Sequence, residues 1–229
     1  MSFLDLSNTR VDPLGWSFVL VVGVLLPMAA VRASRRSPKN ETHQRITKRV
    51  RNVGVLVVLA CVALLVAYRD NIDLFPQFSW TTSLIAQSLA ILVGVIALAE
   101  GLLMVRAREE RRKLWVRQTI PRDNADRAVW LASSITAGAT EEIIFRGVFF
   151  ALLAAITGSI AAGALISAIV FALAHFRQGW KSMAFIAPIA LLFQWLVIYS
   201  GSLVPAIVVH AIYNLARGFR ASAAMSEEE

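Results

Sequence analysis

Six polar side chains stand where a lipid bilayer should forbid them. Glu141, Glu142 and Arg146 share one apolar stretch, His175 ends the next, and His210 and Asn214 lie in the last. An ionisable group at bilayer depth costs about 2.5–3.5 kcal/mol on insertion scales, so each is a functional hypothesis by default. Glu142 and Arg146 are one helical turn apart on the same face and can neutralise each other. Glu141 is rotated by about 100° from Glu142 and has no partner on its own helix, which leaves it free for chemistry. His210 and Asn214 are also i and i+4 and share a face. Of the three histidines in the chain, only His43 falls in a loop. A free carboxylate set among imidazoles is the equipment of proton transfer. Groups on three separate helices escape lipid by converging on one bundle interior, so the set is read as a single functional site.

The elements that must position these groups are membrane helices. The 229 residues are 57% hydrophobic with a mean hydropathy of +0.63, beyond the range of soluble domains. A span needs about 20 mostly apolar residues. The sequence offers seven, at roughly 14–31, 50–68, 79–105, 128–156, 159–176, 182–199 and 203–217, the last being short and holding Pro205 near its start. This predicts an all-α, polytopic transmembrane bundle of about seven spans. It divides into N-terminal helices with basic loops (1–127), a helical core (128–217) and a tail (218–229), within one membrane domain.

The net charge of +8 follows from topology and does not imply nucleic acid. Arg32 to Arg51 carries eight Lys/Arg, and Arg106 to Arg127 carries eight more. With Arg177, Lys181, Arg217 and Arg220, alternate loops hold 20 of the 23 basic residues. The positive-inside rule then predicts an outside N-terminus, a cytoplasmic C-terminus and a multi-pass protein of the cell membrane. Arg106–Arg117 is expected to continue along the membrane surface, its arginines meeting anionic headgroups. Trp80, Trp115, Trp130 and Trp180 near span ends read as interfacial belt residues. The segment before the first span carries Asp5, Arg10 and Asp12 and lacks the basic start of a cleaved signal peptide. Cys61 is the only cysteine, so no internal disulfide and no cysteine metal cluster is possible.

Glu-Glu-x-x-x-Arg at Glu141, Glu142 and Arg146, then Phe-x-x-x-His at Phe171 and His175, then His-x-x-x-Asn at His210 and Asn214, in this order on separate spans, resembles the CPBP family. That family contains the type II CAAX prenyl proteases and the Abi bacteriocin-processing and immunity proteins. All three motifs are complete, and the resemblance covers about residues 128–217. It implies a helical intramembrane protease cutting peptide bonds near the cytoplasmic face, on a peptide or membrane-associated protein substrate.

The residues agree with that implication. No Gly-x-Ser-x-Gly, His-Glu-x-x-His or Cys/His pattern occurs, so an activated water remains. Glu141 would be the general base, with His175 holding the same water and passing a proton to the leaving amine. His210 and Asn214 would donate to the oxyanion, while Glu142, Arg146 and Phe171 support the site. The alternative is zinc on Glu141, His175 and His210 with an open water position. The metal-free reading is favoured because it employs Asn214, a poor zinc ligand, so no cofactor is required in it. Two rival classes are a proton-coupled transporter, since buried Glu, His and Arg also make proton relays, and a non-catalytic immunity or scaffold protein.

Overall fold

The computed structural model describes residues 11–34, 44–105 and 124–226. Most of the two large basic loops, the surface segment expected over Arg106–Arg117, His43, Trp115 and the acidic tail at 227–229 lie outside the described residues.

Among the described residues the architecture is all-α, in seven helices. They are α1 (Pro13–Ser34), α2 (Gln44–Arg69), α3 (Thr82–Val105), α4 (124–157), α5 (Ile160–Ala174), α6 (Trp180–Ser200) and α7 (Val204–Ser226). Helix α1 starts at Asp12, whose carboxylate accepts the Gly15 N–H at 2.8 Å, with Pro13 in the first turn where its missing N–H costs nothing. Gly158 ends α4 and Gly201 ends α6, both with φ near the left-handed value that glycine adopts without penalty (65° and 69°).

Four helices are long and apolar enough to cross a membrane: α1, Thr47–Arg69 of α2, Thr82–Leu102 of α3, and α6. The chain is therefore a multi-pass membrane protein. The other three depart from that pattern for separate reasons. Helix α4 carries Glu141, Glu142 and Arg146, and α7 carries His210, Asn214 and Arg217. Helix α5 is apolar, but its 15 residues rise only about 22 Å, short of a typical hydrocarbon core. Helix α7 also differs from the short segment expected at 203–217, continuing without a break to Ser226.

The core is organised around the middle of α4, where Ile144 to Ala154 are all buried. Apart from Arg146 this stretch is apolar all round, and such a helix belongs at the centre of a bundle. Large side chains on α2 such as Val55, Val58, Leu65 and Tyr68 are exposed, as a lipid-facing surface requires. Two glycines permit close contact with the backbone of a neighbouring helix. A Cβ on Gly163 of α5 would meet the Ala154 backbone at 2.8 Å, and one on Gly138 of α4 would meet Ala211 N of α7 at 3.1 Å. Small residues serve this purpose in membranes because packing, not hydrophobic exclusion, drives helix association there. Trp130 differs from its expected place in the belt: it is buried, edge-on to Phe219 at 5.5 Å and against Gly218.

Ion pairs close both ends of the bundle. Arg49 of α2 meets Asp126 of α4 at 2.7 Å. At the opposite end Arg69 meets Asp12 at 2.8 Å, and Asp70 accepts the Asp12 N–H at 3.3 Å. The Gly15 N–H bond and then Arg69 hold the Asp12 carboxyl below its ordinary value, while burial raises that of Asp70.

Candidate active site

The centre of α4 is not a regular α-helix. Glu142–Phe149 winds as a wider π-helical turn between two α-helical halves. Such turns are uncommon, and inside α-helices they mark functional sites more often than chance. Glu142, Arg146 and the intervening Ile144 and Phe145 are all buried there.

Glu142 is fully buried, and two cations or donors meet one of its oxygens. Its Oε1 lies 3.2 Å from Arg146 Nη1 and 2.6 Å from His210 Nδ1 on α7. A carboxylate accepts, so His210 donates through Nδ1 and its other nitrogen is left to face elsewhere. That nitrogen, Nε2, lies 3.8 Å from Glu141 Oε2. His210 is thus bracketed by the two adjacent glutamates, Glu142 on one ring nitrogen and Glu141 on the other. Glu141 is the more open of the two carboxylates, with 17% side-chain exposure. The Gly138 contact with α7 is what brings His210 this close to α4.

Asn214, one turn along α7, donates from Nδ2 to Ser134 O on α4 at 3.2 Å. One of its two amide hydrogens is therefore spent on fixing the side chain, and the second remains for a ligand. His175 sits past the last turn of α5, its Nδ1 2.8 Å from Phe171 O. A carbonyl only accepts, so Nδ1 carries the hydrogen and Nε2 keeps its lone pair. Phe171 joins His175 to the cluster: the rings are 4.6 Å apart, and the Arg146 guanidinium lies over the Phe171 face at 4.0 Å. Phe193 of α6 packs on the other side, 5.3 Å from the His210 ring.

All six polar groups read from the sequence, with Phe171, thus lie on α4, α5 and α7. Glu141, Glu142, Arg146 and His210 come into direct contact, and His175 is linked through Phe171. The zinc set is not assembled: among the described residues no three His, Cys, Asp or Glu side chains are grouped to hold a metal ion. Sequence reasoning missed two features. One is the His210–Glu142 bond, which had been assigned only as Glu142 with Arg146. The other is Gln194, a fully buried amide on α6 whose signal was its isolation in an apolar run.

A small cavity of about 30 Å³, room for about one water, is lined by Ala99, Leu102, Gln178, Ser182, Tyr213 and Arg217, among others. A larger one of about 610 Å³, lined by residues 75–79 and Val204, contains no titratable side chain and lies at the α2–α3 loop, away from this chemistry.

Compared with known proteins, residues 124–216 match the family model of type II CAAX prenyl endopeptidases, Rce1-like. No curated protein and no solved structure matches the chain. The matched segment runs from the start of α4 to one residue before Arg217 on α7 and contains each of the polar groups described above. Residues 124–216 are thus similar to the Rce1-like type II CAAX prenyl endopeptidase domain, over the part of the chain that holds the site.

Proposed function

We propose that this protein is an intramembrane endopeptidase that hydrolyses peptide bonds near the cytoplasmic face of the cell membrane, on a peptide or membrane-associated protein substrate. The observation that carries the reading is the bracketing of His210, with Nδ1 bonded to Glu142 and Nε2 facing Glu141, inside a segment similar to a peptidase family's domain.

Glu141 is the general base. It is the carboxylate without the Arg146 and Nδ1 contacts, and it is the one partly open to incoming water. It takes a proton as water attacks the scissile carbonyl. His175, with its Nε2 lone pair available, accepts a hydrogen bond from the same water, and as the tetrahedral intermediate collapses the proton taken up by Glu141 passes by way of His175 Nε2 to the leaving amine. As the carbonyl oxygen gains charge, the second amide hydrogen of Asn214 and the Nε2 side of His210 stabilise it. For that role the His210 ring carries both protons, and the two glutamates on either side supply the counter-charge. Glu142 and Arg146 position His210 and do not touch substrate. This reading routes no step through a metal.

The experiment is incubation of the purified protein, in lipid nanodiscs, with a peptide library read by mass spectrometry. New peptide termini that depend on the protein are the expected result. Absence of any cleavage, together with proton flux in proteoliposomes, would replace this reading with a transporter.

A further inference from the structure

Between residues 183 and 198 the apolar run of α6 is broken by one amide, Gln194. It is 2% exposed, and neither its nitrogen nor its oxygen has a protein partner. Buried amides are almost always hydrogen-bonded, because an unpaired one forfeits the hydration it had in water. Besides Asp70 Oδ2, Gln87 Oε1 and Ser88 Oγ elsewhere, three atoms of the site share this condition among the described residues: Glu142 Oε2 and both terminal nitrogens of Arg146, whose approach to Glu142 Oε1 has ion-pair distance but not hydrogen-bond geometry.

Contacts of neighbouring residues relate these atoms to one another. Ser167 of α5 donates to Phe145 O at 2.8 Å, and the Phe193 ring is 5.7 Å from the Arg146 guanidinium carbon. Gln194 follows Phe193 by a single Cα step of about 3.8 Å. Its direction follows from helix geometry. Tyr199 of α6 meets Ser83 of α3 at 3.1 Å, and Gln194 lies about 140° around the helix from Tyr199, away from α3 and on the side where α5 packs. Arg146 reaches the same seam, since its guanidinium lies over Phe171 of α5.

A guanidinium with free N–H groups, a carboxylate oxygen and an amide together ask for a ligand that both donates and accepts. The site is too enclosed for a peptide chain, and Glu142 opposes an anion. We infer that Gln194, Arg146 and Glu142 hold water inside the bundle, at the junction of the π turn, α5 and α6, and that this site supplies the water Glu141 activates. The supply step rests on the proposed peptidase reading; the water site does not.

Radiolytic footprinting tests the site without reference to activity. Brief X-ray exposure makes hydroxyl radicals from bound water, which mark the nearest aromatic rings. In nanodiscs the buried rings of Phe171 and Phe193 are expected to be oxidised. In Gln194→Leu, retention of that water should weaken roughly tenfold, the equivalent of one lost hydrogen bond, and the marking should fall with it. The same variant should stay folded, because an apolar side chain of similar volume fills the place of the amide, while kcat drops about tenfold at unchanged KM. Gln194→Asn, which keeps an amide, should retain intermediate marking. Unmarked rings in the wild type, or equal marking in Gln194→Leu, would overturn the water site. Lost marking with unchanged kcat would overturn the supply role alone. A wild type that marks as expected but cleaves no peptide would remove the peptidase reading and leave the water site standing.

Discussion

His210 is where both glutamates meet, and the two carboxylates are expected to answer substitution differently. Glu142→Gln leaves Arg146 buried without its counter-charge. Removing one partner of a buried ion pair typically costs about 3–5 kcal/mol, so thermal unfolding in nanodiscs should show a large loss. Glu141→Gln removes a partly exposed carboxylate whose contact with His210 is 3.8 Å, and should unfold near the wild-type temperature. The opposite ranking would mean that the base and the support have been exchanged. Asn214→Ala removes a donor to the developing oxyanion, which typically costs about 10²–10³ in kcat and leaves KM nearly unchanged. A strong chelator should leave wild-type cleavage intact; loss on chelation, zinc rescue and a normal Asn214→Ala enzyme would restore the zinc reading. The Glu142–Arg146 pair was legible in the sequence because i and i+4 positions meet on any helix. The Glu142–His210 bond joins residues 68 apart and depends on how α7 docks against α4, which no local spacing encodes.

That docking is set by Gly138. A Cβ there would press on Ala211 N at 3.1 Å and Ala211 Cα at 3.3 Å, which are backbone atoms that cannot swing aside. Gly138→Val is expected to push α7 outward and carry His210 away from Glu141. A displacement near 1 Å in a catalytic constellation costs on the order of 10² in rate, so kcat should fall by about that factor while Glu142 and Arg146 stay paired. Unchanged kcat in a folded Gly138→Val protein would show that α7 is not held by this contact. All seven helices were legible, because runs of apolar residues bounded by glycine and charged loops leave few other options in a membrane. The π turn at Glu142–Phe149 was not, since a widened turn reflects how buried side chains pack around α4 and leaves no compositional trace. The length of α7 was underestimated for a related reason: Arg217 and Arg220 end the apolar run without ending the helix.

For the molecule as a whole, orientation and pH response can be measured directly. With an outside N-terminus, Asp73→Cys should be labelled from outside the cell and Asn40→Cys only from the cytoplasm; the reverse pattern would contradict the cytoplasmic opening of the site. The Asp12–Asp70 end makes stability depend on pH in two opposite ways. Asp70, raised by burial above its ordinary 3.8, stabilises the fold when protonated and loses that contribution as pH rises through its folded value. Asp12, lowered mainly by the Gly15 N–H, contributes above 3.8 and loses it as pH falls through its own folded value. Wild-type Tm should therefore rise as pH is lowered from neutrality toward 4 and fall below that. Asp70→Asn, which mimics the protonated carboxyl, should flatten the neutral limb; an unaltered limb would place the pH dependence elsewhere. The central claim, that Glu141 activates water to cut a peptide bond within the bundle, is tested by running cleavage of a responsive peptide in ¹⁸O-labelled water with wild type and Glu141→Gln side by side. The account predicts one labelled oxygen in the new carboxyl terminus from the wild type and no product from the folded Glu141→Gln protein. Cleavage by Glu141→Gln at the wild-type rate would contradict it.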